Sequence, residues 1–292
     1  MLIESFNKLT TWKRKGERAP HKPLLMLLAL GEFCRDPHRE IPYFEIDTKL
    51  RELLEEFGPV RKNYHPEYPF WRLQKDGLWE VHGVDKIIVT SSGDASKKDL
   101  MKGDVFGSFP EKIRSELIQN PKLFSQIVQN ILNAHFPTTI HEDILQSVGI
   151  DLMTKELGKR KRSSDFRQKI LQAYENRCAI CGFDVRLGHT PIALEAAHIK
   201  WHQAGGPDEE MNGLALCALH HKLFDRGAFT LSDNLVILVS EKANGSFGFK
   251  QWLLDFHGRK IHYPQRQTYC PKGEFTQWHT REVFKGDFRE LI

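Results

Sequence analysis

"LCALHHKLFD", residues 216–225, sets His220 and His221 side by side, behind Cys217 and ahead of Asp225. Neighbouring side chains on a helix diverge by about 100°, so two adjacent imidazoles do not easily serve one site. Working upstream, Cys178 and Cys181 are separated by two residues, Cys217 and His220 again by two, and thirty-five residues lie between the pairs. Two short knuckles of this kind close a tetrahedral thiolate and imidazole shell around structural Zn²⁺ and leave no coordination position open. The competing reading is a coincidence of four ligand-type residues. If His220 faces the cysteines, His221 faces elsewhere, and Asp225 follows it at i+4 on its own helical face. An imidazole and a carboxylate so placed make a two-point platform for a harder divalent ion, Mg²⁺ or Mn²⁺.

The flanking sequence supplies the rest of a constellation. "PIALEAAHI" (191–199) reads as a strand carrying His198, and "HQAGGPDEEMNG" (202–213) as a glycine-rich loop carrying Asn212. "LALC" is a second strand, "ALHHKLFDRG" the helix, and "AFTLSDNLVILVS" (228–240) a hairpin turning near Asp233-Asn234. In this order the residues resemble the HNH nuclease family, with its ββα-metal fold, over about residues 170–240. The resemblance implies that His198 is the general base, since a near-neutral pKa suits proton abstraction at physiological pH. It further implies that Asn212 holds strand and loop, and so the His198 ring, and that His221 with Asp225 binds the catalytic cation. Many relatives carry an Asp or His directly before the base, where this chain has Ala197. Glu195, two residues back on Ala197's face, is either a further ligand of the ion or a surface or hydrogen-bonded glutamate. His189 and His202 lack such context and read as surface or loop residues.

The whole chain has 292 residues, 40% hydrophobic and 27% charged, with no apolar run near the eighteen residues a membrane helix needs. Its length suits two domains. The start, "MLIESFNKLTTWKRKGERAP", lacks an apolar core segment of an export signal, which places the protein in the cytoplasm. Five cysteines, an odd number with two in a C-x-x-C pair, favour metal ligation over a disulfide framework and leave Cys34 and Cys270 as ordinary thiols. A net charge of +4 permits a polyanionic partner without demanding one. Basic residues gather in "KRKGER" (13–18) and "KELGKRKR" (155–162), either as solvated faces or as contacts to a nucleic-acid backbone.

In the first 150 residues, "PHKPLLMLLALGEFCR" (20–35) predicts a buried helix with Pro23 in its first turn. "DTKLRELLEEFG" (47–58) predicts a helix capped by Gly58, and "EKIRSELIQNPKLFSQIVQNILNAHF" (111–136) predicts helix broken near Pro121. "FWRL" and "LWEV" read as two strands joined at Asp76-Gly77, and 138–177 as a helical bridge onward. "APHKPLLMLLALG", "YPFWRLQKDGLWEV" and "HFPTTIHEDIL" resemble the sulfur-binding domain of restriction endonucleases that cleave phosphorothioated DNA, where it also precedes an HNH domain. By that resemblance Tyr68 and Pro69 line the sulfur pocket. Sulfur in place of a non-bridging oxygen is larger, more polarizable and a poorer acceptor, so an apolar, aromatic-edged cavity prefers it. His21 and Lys22, at a helix N-terminus, would hold neighbouring phosphates, though relatives often have arginine at the Lys22 position. Arg72 is a weaker candidate for a base or phosphate contact. The plain alternative for "YPFW" is a core segment with a proline bend.

The expectation is an α+β chain: a mainly helical N-terminal DNA-reader domain with a small β-hairpin (1–150), a helical basic linker (151–165), and a zinc-stabilised ββα-metal nuclease domain (166–292). Its expected partner is double-stranded, phosphorothioated DNA, without a membrane, and a homodimer would let both strands be cut. Two other readings are a nuclease directed by another mark or by unmodified sequence, and a non-catalytic, zinc-stabilised DNA-binding protein.

Overall fold

The computed structural model describes residues 2–9, 17–85, 87–90, 93–102, 104–151 and 164–290. The basic runs at 13–16 and 155–162 lie outside these, as do residues 152–163 of the expected linker. The chain forms two compact units, Met1–Gly158 and Lys159–Ile292. Among the described residues no helix is long and apolar enough to cross a membrane.

Unit 1 runs α1 (Leu2–Asn7), α2 (His21–Arg35), β1 (Ile41–Pro42), α3 (Tyr43–Phe57), α4 (Glu67–Arg72), β2 (Glu80–His82), α5 (Lys97–Leu100), β3 (Phe106–Ser108), α6 (Glu111–Gln119), α7 (Pro121–His135) and α8 (His141–Val148). Helix α2 is its centre. Leu24 to Glu32 are all buried, because α3, α4, α7 and α8 pack around the helix. Each of its leucines contributes on the order of 2 kcal/mol by leaving water. Pro23 sits in the first turn, where no intrahelical N–H is required. Pro121 opens α7, and the Asn120 side chain accepts from the Leu123 N–H, so the break falls between two helices. Gly58 caps α3 through its N–H to Leu54 O, in an extended backbone conformation.

The small antiparallel sheet has the order β1-β3-β2, and one expected strand is absent from it. Residues 70–73, "FWRL", are helical: α4 spans Glu67–Arg72 and a 3₁₀ turn continues through Asp76. Pro69 lies in the first turn of α4, where it costs no hydrogen bond, and Phe70 and Leu73, three apart, bury one helical face. The aromatic make-up of the segment suits a strand, but the spacing of three is helical, because a strand would turn the two side chains to opposite faces. There is thus no hairpin across Asp76-Gly77; β2 pairs with β3, reached much later in the chain. Of the expected helical bridge, 138–177, the described residues are helical at Thr138–Ile140, His141–Val148 and Ser164–Ala173, and residues 152–163 lie outside the described residues.

Unit 2 runs α9 (Ser164–Ala173), β4 (Arg186–Leu187), β5 (Thr190–Pro191), β6 (Leu194–His198), β7 (Gly213–Cys217), α10 (Ala218–Asp225), β8 (Phe229–Leu231), β9 (Ile237–Val239), α11 (Phe247–Trp252) and α12 (Gly273–Glu282). Strands β6 and β7 pair antiparallel from Leu194↔Cys217 to His198↔Gly213, and α10 follows β7 directly, giving a ββα unit. All five residues of β7 are buried. The core gathers Phe166 and Ile170 of α9, Leu214 and Leu216 of β7, Phe224 of α10, and Phe229 and Ile237 of the β8–β9 hairpin.

Candidate functional site

The β7–α10 junction delivers Cys217 and His220 to one side of α10, where the knuckle at Cys178 and Cys181 meets them. The four ligand atoms lie within 4.8 Å of one another, and this is the one such cluster of three or more groups among the described residues. Cys217 Sγ is 3.2 Å and Cys178 Sγ 3.8 Å from His220 Nδ1, and Cys181 Sγ is 4.0 Å from Cys217 Sγ. A tetrahedron with Zn–S bonds of about 2.3 Å separates its sulfurs by about 3.8 Å, so the donor set fits zinc in type and spacing. Burial opposes a charge on His220, yet the three thiol groups push its pKa up to about 12. The field that draws a proton there is the field a divalent metal would meet. His220 Nε2 donates to Trp252 O at 2.9 Å, which fixes the ring with Nδ1 toward the sulfurs.

His221 faces the other way and is equally enclosed. Its Nδ1 donates to Glu195 Oε2 at 2.6 Å, and its Nε2 lies 3.2 Å from Asp225 Oδ2. Burial works against protonation, but Asp225 and Glu195 raise the pKa to about 9. The two carboxylates thus occupy the two ring nitrogens, Glu195 at Nδ1 and Asp225 at Nε2. Trp201 Nε1 donates to Asp225 Oδ1 at 3.1 Å.

His198 ends β6. Its ring stacks on Phe166 at 3.9 Å between centroids and 14° between planes, and Nε2 donates to Asp208 Oδ1 at 2.8 Å. Burial lowers its pKa, only partly opposed by the hydrogen bond and charge of Asp208; the Asp225 charge also reaches it. Asn212 is fully buried. Its Oδ1 accepts from Lys200 N at 2.8 Å, while Nδ2 donates to Lys200 O at 3.0 Å and Pro207 O at 2.9 Å. These bonds tie the residues after His198 to the loop that carries Asp208. Gly206 permits the approach, because a Cβ there would lie 1.8 Å from Lys200 O.

In unit 1, His21 and Lys22 open α2, and Tyr68, Pro69 and Arg72 belong to α4. Tyr68 is 39% exposed, stacks on His65 at 5.1 Å, and carries the Arg72 guanidinium 4.7 Å from its ring centre. Pro69 is buried. Both expected cations are held by carboxylates: Lys22 Nζ is 2.5 Å from Asp76 Oδ2, and Arg72 makes two bonds, 2.7 and 2.6 Å, to Asp94. Burial, with Arg61 and His65, lowers the pKa of His21 to about 4, so the ring is neutral at neutral pH.

Sequence reasoning did not find Asp208, Phe166, Trp201, Asp94, Asp76 or His65. Asp208 is the first of three consecutive carboxylates, with Glu209 and Glu210, and the sequence does not single it out from them. His65 meets Tyr68 three residues on, and the others meet their partners across segments with no shared periodicity.

Residues 178–232, which hold the ββα unit and this histidine, asparagine and histidine set, match the HNH endonuclease family. Residues 1–153 match the family described as ScoMcrA-like, DNA sulfur-binding domain, and the chain belongs to that family. Among solved structures, it is similar to the sulfur-binding domain of ScoMcrA complexed with phosphorothioated DNA: 22% identity, TM-score 0.46, covering 51% of this chain and 96% of the other. Similarity to the Type IV phosphorothioation-dependent restriction endonuclease ScoMcrA is at 20% identity and TM-score 0.43, over 51% of this chain and 32% of that one. For the modification-dependent TagI restriction endonuclease the values are 23% and 0.29, over 46% and 41%. The match therefore spans less than half the length of these two endonucleases. No curated protein matches the chain.

Proposed function

We propose that the protein is a modification-dependent restriction endonuclease of the cytoplasm: unit 1 docks on phosphorothioated double-stranded DNA, and unit 2 hydrolyses a nearby phosphodiester bond. The observation that carries this reading is the presence of a DNA sulfur-binding domain and an HNH endonuclease domain in one chain.

In unit 1 the exposed, polarizable face of Tyr68, with Pro69 behind it, receives the sulfur. Neutral His21 donates to a phosphate oxygen at the start of α2. Asp76 and Asp94 hold Lys22 and Arg72 in fixed positions beside it.

In unit 2 the Cys178, Cys181, Cys217 and His220 shell holds structural Zn²⁺. Asp208 accepts the Nε2 proton of His198, which leaves Nδ1 as the lone pair that takes a proton from water. Phe166 and Asn212 restrict the ring's rotation and the path of the chain behind it. Glu195 accepts the Nδ1 proton of His221, so that Nε2 and the Asp225 carboxylate form the seat of a divalent ion. When bound, Mg²⁺ or Mn²⁺ supplies charge relief to the scissile phosphate and the leaving 3′-oxygen. One such site cuts one strand, so a double-strand break calls for a second copy.

The test pairs two duplexes that differ by one phosphorothioate, scored for binding and for cleavage with Mn²⁺. The sulfur-bearing duplex should be bound and cut, and His198→Ala should bind it without cutting. Equal cleavage of both duplexes would leave the nuclease and overturn the mark; inertness on both would overturn the enzyme.

A further inference from the structure

Beyond β7 and α10, the chain continues through α11 to α12, past residue 232 where the HNH match ends. This segment reaches back to the helix that bears His221 and Asp225. We propose that Trp201, backed by Trp278 of α12, is a positioning residue that presents the Asp225 carboxylate to the divalent ion; this rests on the reading that His221 and Asp225 hold that ion.

Trp201 and Trp278 are 2% and 3% exposed, and their rings meet edge to face at 6.1 Å. The indole N–H of Trp201 takes Asp225 Oδ1 at 3.1 Å, while Oδ2 lies toward His221 Nε2 at 3.2 Å. A carboxylate on a short side chain can otherwise rotate both oxygens between partners. An indole donates one hydrogen bond and has no acceptor, so it fixes the carboxylate plane without neutralising the charge and without competing for a cation. Oδ2 is then the oxygen turned toward His221.

Helix α12 also holds the end of α10 itself. His279 stacks on Phe224 at 3.7 Å and 4°, donates from Nε2 to Phe224 O at 3.1 Å, and accepts at Nδ1 from the Thr230 hydroxyl at 2.9 Å. Gly227, two residues past Asp225, lies so close to the end of α12 that a Cβ would sit 2.2 Å from Val283 O. Phe224 and Gly227 are thus set by α12, and Asp225 by Trp201 of the β6–β7 loop, whose ring α12 backs through Trp278.

The test is Mn²⁺ binding by calorimetry on the zinc-loaded full chain, beside the Mn²⁺ dependence of cleavage. Trp201→Phe keeps ring and burial and removes the donor. Mn²⁺ affinity should fall about 10- to 100-fold, the usual effect of losing a hydrogen bond behind a metal ligand. The half-saturating Mn²⁺ for cleavage should rise by the same factor, with the rate at saturation within a few-fold of wild type and zinc content unchanged. Unchanged Mn²⁺ affinity overturns the proposal. Should Trp201→Phe lower the melting temperature, β-(3-benzothienyl)alanine at position 201, an indole-shaped ring with sulfur in place of N–H, isolates the donor under the same criterion. Asp225→Ala and His221→Ala separate the two levels. If both bind Mn²⁺ as wild type does, the ion reading itself fails; if both lose it while the donor-less variants keep it, only the role of Trp201 fails.

Discussion

His220 looks onto three cysteines at distances that suit one zinc ion, and its outer nitrogen is tied to the Trp252 carbonyl. His221, the next residue, lies between two carboxylates on the opposite side of the same helix turn. Both rings are buried and both have a raised pKa, to about 12 and about 9. The difference lies in the donors around them: soft sulfur on one side, hard oxygen on the other, which selects different cations for chemically identical ligands. His198 and His21 extend the contrast, since burial lowers both. One residue type meets four different surroundings, and in the proposed function these give each ring its own task.

The largest effect should come from emptying the sulfur side. Cys178→Ala or His220→Ala should leave unit 2 without zinc by elemental analysis and without a cooperative melt, because a structural zinc site supplies on the order of 10 kcal/mol of folding energy. A zinc-free variant that still melts cooperatively would break the contrast. On the oxygen side, His221→Ala should lower cleavage on the order of 1000-fold while zinc content and melting temperature stay as in wild type. The same loss accompanied by zinc release would show that the two rings share one task. Asp208→Asn should cost about 10- to 100-fold in cleavage rate and shift its pH profile, because the amide loses the negative charge and its NH₂ can donate to Nε2, so that the Nε2-protonated form of His198 is no longer enforced.

His21 sharpens the contrast in the other unit. Its folded pKa, about 4, lies below the unfolded value of 6.5, so the neutral ring stabilises unit 1 above pH 6.5, and that contribution is lost as pH falls from 6.5 toward 4. Urea titrations at pH 7 and 4.5 should differ by about 2 kcal/mol more in wild type than in His21→Gln. The smallest effect is expected for Tyr68→Ala, about a tenfold weaker binding of the sulfur-bearing duplex, or 1.4 kcal/mol, with binding of the unmodified duplex unchanged.

Local rules made part of this legible in the sequence. The two x₂ spacings announce the cysteine and histidine cluster because a knuckle is a local structure, and the strand, loop, strand and helix order follows from patterns of a few residues each. Pro121 marks the division of α6 from α7 for the same reason. At 70–73 the aromatic make-up suits a strand, whereas the three-residue spacing of Phe70 and Leu73 and Pro69 as a first-turn residue suit the helix that forms. The pairing of His198 with Asp208, of Arg72 with Asp94 and of Trp201 with Asp225 joins residues 10 to 24 apart through the folded shape alone. The tail after residue 250 carried no motif, yet Trp252, Trp278 and His279 all reach α10 or its ligands.

The tandem histidines of α10 set a limit on how such a nuclease can diverge. Each added or deleted residue turns the remainder of the helix by about 100°, so one insertion between Cys217 and Asp225 would carry an imidazole meant for sulfur round toward oxygen. Substitutions at a half-exposed position such as Leu219 leave that angle alone. At its exposed positions this helix can therefore change in spelling without turning either ring, whereas a change in its length cannot leave both rings in place.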